Sequence, residues 1–164
     1  MKVVLIGFAC SYKTSVGRLL ANKLNVRHID VDNLVEERSG QSVAEIFAIG
    51  GECAFRNKEE QALLSLADCD DAVISCGGGA PLHSSFNQLA ETSAVVWLTA
   101  TAATVKQRLG GTIRPLFDGK TTEQLDEMIN NRAAYYAKYA NVTIATDGKT
   151  SEQVADEVVF LLNR

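Results

Sequence analysis

Proline is scarce in this chain, with Pro81 and Pro115 the only two in 164 residues, and histidine is equally so, at His28 and His83. Two prolines exclude a collagen-like or proline-rich chain. The four cysteines, Cys10, Cys53, Cys69 and Cys76, contain no C-x-x-C pair. With two histidines besides, no zinc-ligand spacing appears, and the cysteines read as free thiols in a reducing cytosol. No apolar run approaches the ~18 residues of a membrane helix. The opening Met1-Lys2-Val3-Val4-Leu5-Ile6 is too short for a signal peptide, lacks a small-x-small cleavage site and runs on into Lys13, so a cytoplasmic protein without membrane attachment is expected. An excess of basic residues is also missing. The net charge is −4, which argues against a general nucleic-acid binder.

What is present is ordinary for a folded domain, at 46% hydrophobic and 22% charged residues, and this excludes disorder as the main state. The length suggests one domain, covering 1–164, able to bury a core without staples. No linker, repeat or low-complexity stretch divides it.

Short β-branched runs alternate with helical patterns. Val3 to Ile6 reads as a buried strand. From Thr14, the apolar positions Val16, Leu19, Leu20 and Leu24 form one face of a helix. Val26 to Ile29 reads as a second strand, and helices follow across roughly 33–68 with a capping box at Ser42-Val43-Ala44-Glu45. Ala72 to Ser75, Ala94 to Leu98 and Val142 to Ala145 read as three further strands. Helices are expected over roughly 101–109 and 122–139. Val154, Val158, Leu161 and Leu162 mark a last one behind a Thr150…Gln153 capping box. This alternation predicts an α/β protein, a parallel sheet with helices on both faces. Ligands of such sheets sit at the carboxyl ends of the strands, which selects 7–14, Asp30/Asp32 and Gly77-Gly78-Gly79 before any motif is considered.

Gly7-Phe8-Ala9-Cys10-Ser11-Tyr12-Lys13-Thr14 has the length and ends of a phosphate-binding loop, in which backbone N–H groups and a helix N-terminus cradle phosphates. The lysine of such a loop bridges the terminal phosphates and the hydroxyl holds Mg²⁺. Tyr12 stands where the pattern requires glycine, and a non-glycine residue held at positive φ costs about 1–2 kcal/mol. An ordinary strand-to-helix turn is the alternative. Asp30 and Asp32, at i and i+2, would share a side of an extended stretch, one working through Mg²⁺ and the other as a base; helix capping by Asp32 beside a solvated Asp30 is the plainer reading. Gly77-Gly78-Gly79 bares backbone amides to a ligand or merely gives a flexible connection. Arg56 and Arg132 together suit a planar carboxylate, while each alone reads as a surface charge. Arg108 and Arg114 flank Gly110-Gly111. They read either as a phosphate clamp on a closing lid or as charges favoured by a helix C-terminus.

Along the whole chain the sequence resembles the shikimate kinases, a group of P-loop kinases similar to the nucleoside-monophosphate kinases. The likeness is most specific in Ile29-Asp30-Val31-Asp32, in Gly40-Gln41-Ser42-Val43-Ala44-Glu45-Ile46-Phe47, and in Gly51-Glu52 with Phe55-Arg56-Asn57-Lys58-Glu59. These match the D-x-D, G-x-[ST]-I-x-x-[IL]-F and G-E-x-x-F-R-x-x-E patterns of that family. The triple glycine, Arg114-Pro115-Leu116 and Arg132-x-x-x-Tyr136-x-x-x-Ala140 complete the set. The resemblance implies a three-layer α/β/α fold with a five-stranded parallel sheet. It also implies an acceptor-binding helical region over about 32–68 and a mobile lid over about 109–121. The implied reaction is transfer of the ATP γ-phosphate to the 3-hydroxyl of shikimate with Mg²⁺, by a monomer.

Position by position, the resemblance makes Asp32 the contact to the acceptor hydroxyl and its base, and Asp30 the outer Mg²⁺ partner. It makes Arg56 and Arg132 the clamp on the shikimate carboxylate, with Gly78 and Gly79 at the ring hydroxyls. Ser11, Tyr12, Lys13, Thr14 and Ser15 fall in the nucleotide loop, with Thr14 also at the metal. Arg114 corresponds to the lid arginine on the phosphates and Arg108 to the one near adenine. The departures are Cys10 and Tyr12, where the family's G-x-x-G-x-G-K-[ST]-T has glycines. Three functions therefore stand side by side: a shikimate kinase with an altered nucleotide site, a non-catalytic shikimate-binding protein on a kinase fold, and a kinase for another polyhydroxy acid. No residue pattern points to a structural or interaction role.

Overall fold

Alternation along the first strand decides the architecture. In β1 (Val3–Ile6), Val3 and Leu5 face one side of a sheet and Val4 and Ile6 the other, and all four are fully buried. A strand buried on both faces must lie between two layers of helices. The computed structural model, which describes residues 1–110, 114 and 116–164, has that arrangement. Five strands pair in the order β2-β3-β1-β4-β5, every neighbouring pair parallel. They are β1, β2 (Arg27–Asp30), β3 (Ala72–Ser75), β4 (Ala94–Thr99) and β5 (Val142–Ala145).

One face of the sheet carries α1 (Lys13–Leu24) and the C-terminal α7 (Ser151–Leu162), and Val3, Leu5, Val96, Leu98 and Ile144 meet Val16, Leu20, Val154 and Val158 there. The other face carries α2 (Val31–Ser39), α3 (Val43–Leu66), α4 (Phe86–Glu91), α5 (Ala102–Leu109) and α6 (Thr122–Tyr139), packed on Val4, Ile6, Ile74 and Val95. Capping boxes open α3 at Ser42, α6 at Thr121 and α7 at Thr150. Each satisfies two otherwise orphaned backbone N–H groups. Within α3, Gly51 at φ 71 and ψ −169 breaks the helical path, so the turn bearing Arg56 is set at its own angle.

Three details differ from the sequence reading. The second strand runs one residue further, to Asp30, and α2 begins at once at Val31 rather than near 33. Asp30 and Asp32 therefore do not share an extended stretch. Asp30 is the N-cap, its carboxylate accepting from the backbone N–H groups of Asp32 and Asn33, while Asp32 sits in the first helical turn. The 3₁₀ turn Ala80–Leu82 and α4 had no periodicity in the sequence to announce them. Of the lid segment, 111–113 and 115 lie outside the described residues. The part that follows Arg114 is a turn, with the Phe117 and Asp118 N–H groups donating to the Arg114 carbonyl. Phe117 then packs edge-on against Phe8, their ring centres 5.2 Å apart.

Candidate active site

Every residue to which the resemblance gave a role lines one cleft of about 760 Å³ at the carboxyl ends of the strands. Its lining includes six basic side chains, Lys13, Arg18, Arg56, Arg108, Arg114 and Arg132. An acidic molecule thus concentrates positive potential where anions would bind.

The loop after β1 forms the floor. The buried Ser11 hydroxyl donates to the Phe8 carbonyl at 2.8 Å, and Lys13 Nζ donates to the same carbonyl at 2.7 Å. Burial pushes the Lys13 ammonium down to about 8, against the pull of the Asp32 carboxylate. Cys10 and Tyr12 adopt φ 59 and φ 68, so both residues hold the left-handed backbone at the positions where glycine is expected. The loop keeps a glycine-type path while carrying two side chains, at about 1–2 kcal/mol of strain apiece. The Tyr12 ring lies under Arg108, whose guanidinium carbon is 3.6 Å from the ring centre. Arg108 also donates to the Cys10 carbonyl at 2.7 Å and to the Thr146 hydroxyl and carbonyl, each at 3.0 Å. Arg114 and Ser15 line the cleft with exposed side chains.

Asp30 and Thr14 meet directly, the Thr14 hydroxyl donating to Asp30 Oδ2 at 2.7 Å. This hydroxyl–carboxylate pair beside Lys13 is a hard-oxygen donor set of the kind Mg²⁺ takes alongside phosphate oxygens. Asp32 is half-buried, with Oδ1 sealed from solvent and unpartnered among the described residues. Desolvation, with Asp30 and Glu59 nearby, pushes its carboxyl up to about 6.

The two arginines close on the triple glycine. A Cβ at Gly79 would overlap the Arg56 guanidinium, and one at Gly78 would lie 3.1 Å from Arg132 Nη1. Only glycine lets both cations approach this stretch of backbone. Arg56 is aimed by the fully buried Glu59, whose Oε2 accepts from Arg56 Nη1 at 2.8 Å and lies 2.8 Å from His83 Nε2. Glu59 Oε1 and Asp32 Oδ1 converge beside Gly77, 2.9 and 3.3 Å from where a Cβ would stand. One turn beyond Arg132, the buried Tyr136 hydroxyl donates to the Gly78 carbonyl at 2.7 Å.

Glu59, His83, Tyr136 and Thr146 were absent from the sequence-derived site. Glu59 and Tyr136 stood inside quoted motifs, at i+3 and i+4 from an arginine, and that helical spacing was the available signal. His83 and Thr146 lie 24 and 38 residues from their partners, a distance no local pattern bridges.

A parallel sheet with a lysine-bearing anion loop after its central strand, facing an arginine pair and a carboxylate across one cleft, defines a nucleotide-dependent phosphotransferase for small molecules. The family model described as shikimate kinase matches residues 9–163. A shikimate kinase of Moorella thermoacetica is 43% identical over 158 residues, covering 95% of this chain and 91% of its own length. One of Symbiobacterium thermophilum is 38% identical over 164 residues, covering 97% and 94%. The structure of shikimate kinase from Acinetobacter baumannii in complex with shikimate superposes with a TM-score of 0.91 at 28% identity, covering 99% of this chain and 92% of that one. The chain belongs to the shikimate kinase family, whose phosphate donor is ATP. Among the described residues, no helix is long and apolar enough to cross a membrane.

Proposed function

We propose that this chain transfers the γ-phosphate of ATP to the 3-hydroxyl of shikimate, with Asp32 as base. The carrying observation is that both halves of the chemistry share one cleft. Arg56 and Arg132 at the triple glycine suit a carboxylate, and Lys13 on the loop and Asp32 beside Gly77 line the same cleft. A carboxyl held near 6 is largely ionised at neutral pH yet basic enough to take a hydroxyl proton as the phosphate arrives. Lys13, desolvated and adjacent, gains charge stabilisation as phosphate oxygens approach, and Arg114 adds a second cation from the lid segment. Gly78 and Gly79 offer their backbone to ring hydroxyls. Thr14 and Asp30 would hold Mg²⁺, which supplies charge neutralisation of the donor phosphates when bound. Ser11, Tyr12, Ser15 and Arg108 complete the donor side. The left-handed backbone at Cys10 and Tyr12 keeps the loop's amides in a glycine-loop course, which supports nucleotide binding over a non-catalytic acid-binding role.

The reading takes the protein as a cytoplasmic monomer, with the helical region about 32–68 gripping the acceptor and the segment about 109–121 closing as a lid. A coupled assay with shikimate, ATP and Mg²⁺ is the test. Turnover is expected, with quinate and gluconate poorer acceptors. Arg56→Lys and Arg132→Lys are each expected to raise KM for shikimate by about tenfold or more through loss of planar recognition. A well-folded chain without turnover would sink the proposal, and a preference for quinate or gluconate would move the acceptor.

A further inference from the structure

Two non-glycine residues in left-handed backbone in one loop, two positions apart, call for a compensating contact, because such strain persists only where surrounding structure over-determines it. At Tyr12 the contact is visible. Its ring lies face-on to the Arg108 guanidinium at 3.6 Å, and both residues line the cleft. Tyr12 is also the residue before Lys13, offers no side-chain cap to α1 and packs partly against the core beneath α1 and α7, so its ring lies between that core and Arg108.

Where this stack sits follows from the sheet order. The acceptor groups, Asp32 after β2 and Gly78 and Gly79 after β3, lie on one side of β1. Thr146 after β5, and Arg108 bonded to it, lie on the other. The transferred phosphate must reach Asp32, so the phosphate chain crosses the central loop and the nucleoside ends on the β4–β5 side. That is where Tyr12 and Arg108 are. Three hydrogen bonds fix the edge of the Arg108 guanidinium, and the Tyr12 ring fixes its plane.

We propose that Tyr12 is a donor-positioning residue, whose ring holds Arg108 in a fixed plane against the nucleoside end of the nucleotide. The proposal rests on the kinase reading for the direction in which the donor lies. It makes the departure from glycine an exchange, in which backbone ease is given up for an aromatic support under a cation.

The test is calorimetric titration of the full chain with MgADP, together with steady-state kinetics. Tyr12→Leu keeps an apolar side chain but removes the π face, and Tyr12→Gly also relieves the strain. Each is expected to weaken MgADP about tenfold, the size of a partly desolvated cation–π contact. KM for ATP should rise in step, and by more than KM for shikimate. Tyr12→Phe should match the parent. In an Arg108→Lys background, Tyr12→Leu should add less than about twofold, since it acts through Arg108. MgADP binding unchanged in both Tyr12→Leu and Tyr12→Gly would overturn the proposal. So would a parallel loss of shikimate affinity, a full tenfold addition in the Arg108→Lys background, or a parent chain that does not bind MgADP. A parent that binds MgADP but does not phosphorylate shikimate leaves this inference standing and removes the kinase reading instead.

Discussion

Asp32 is ionised at a cost to the fold. Burial raises its carboxyl to about 6, above its value in an unfolded chain, so the native state binds the proton more tightly. The stability that Asp32 contributes is fully present below about pH 4 and is lost as pH rises through about 6. Asp32→Asn is expected to be as stable as the parent below pH 4, more stable by up to about 3 kcal/mol above pH 6, and without useful turnover. Urea titrations at the two pH values check the first part, and the coupled assay checks the second, with an acidic limb near pH 6 expected in kcat/KM of the parent. Lys13 gives the complementary prediction. Lowered to about 8 by desolvation, it should take up a proton when an anionic nucleotide binds above pH 8. Calorimetry in two buffers of different ionisation enthalpy would read between zero and one proton, and zero at pH 9 would contradict the assignment. At this scale the identities of the site residues were legible because motif spacing carries them. Which of Asp30 and Asp32 caps the helix was not, since it depends on where a strand stops and a helix starts. A two-residue shift in the helix start made Asp30 the cap and left Asp32 free to face the cleft.

The elements hold few surprises where sequence pattern and terminal chemistry agree. β1, β3 and β5 begin and end at the residues that periodicity gives, and the capping boxes at Ser42 and Thr150 form. α4 and the 3₁₀ turn before it were illegible for a physical reason. Six and three residues are too few for a 3.6-residue period to show. Their shape comes from Phe86 and Leu89 sinking into the core rather than from propensity. The join between α2 and α3 supplies a test. Gly40 ends α2 at φ 67, and a Cβ there would meet nothing within 4 Å. Gly40→Ala is therefore expected to cost about 1 kcal/mol from backbone strain alone, seen as a lower urea midpoint with kcat intact.

For the whole molecule, the strand order sets the proposed donor and acceptor sides apart. The central β1 carries the shared loop, β2 and β3 lead to Asp32 and the triple glycine, and β4 and β5 lead to Arg108 and Thr146. Alternation of strands and helices made the α/β class plain in the sequence, but long-range partners such as His83 on Glu59 or Arg108 on Thr146 arise only from that order. Because the cleft is built from all the inner strands, its ligands should stabilise the fold as one unit. Shikimate at a hundred times its Kd is expected to add about 2.7 kcal/mol, or roughly 5–10 °C in Tm for a chain of this size. Arg56→Lys and Arg132→Lys, weakened tenfold, should shift about half as much at the same concentration. An unchanged Tm for the parent would deny the acceptor site its ligand.

The contact between Gly79 and Arg56 has a practical side. A single added methyl would occupy the volume of the guanidinium, yet Gly79 sits beyond the end of β3 and contributes no side chain to either core cluster. Changes at this point would push Arg56 from its place beside the triple glycine while leaving expression and solubility much as they were. A collection of variants sorted by yield alone would pass them as sound, and only a screen that asks for substrate would find them.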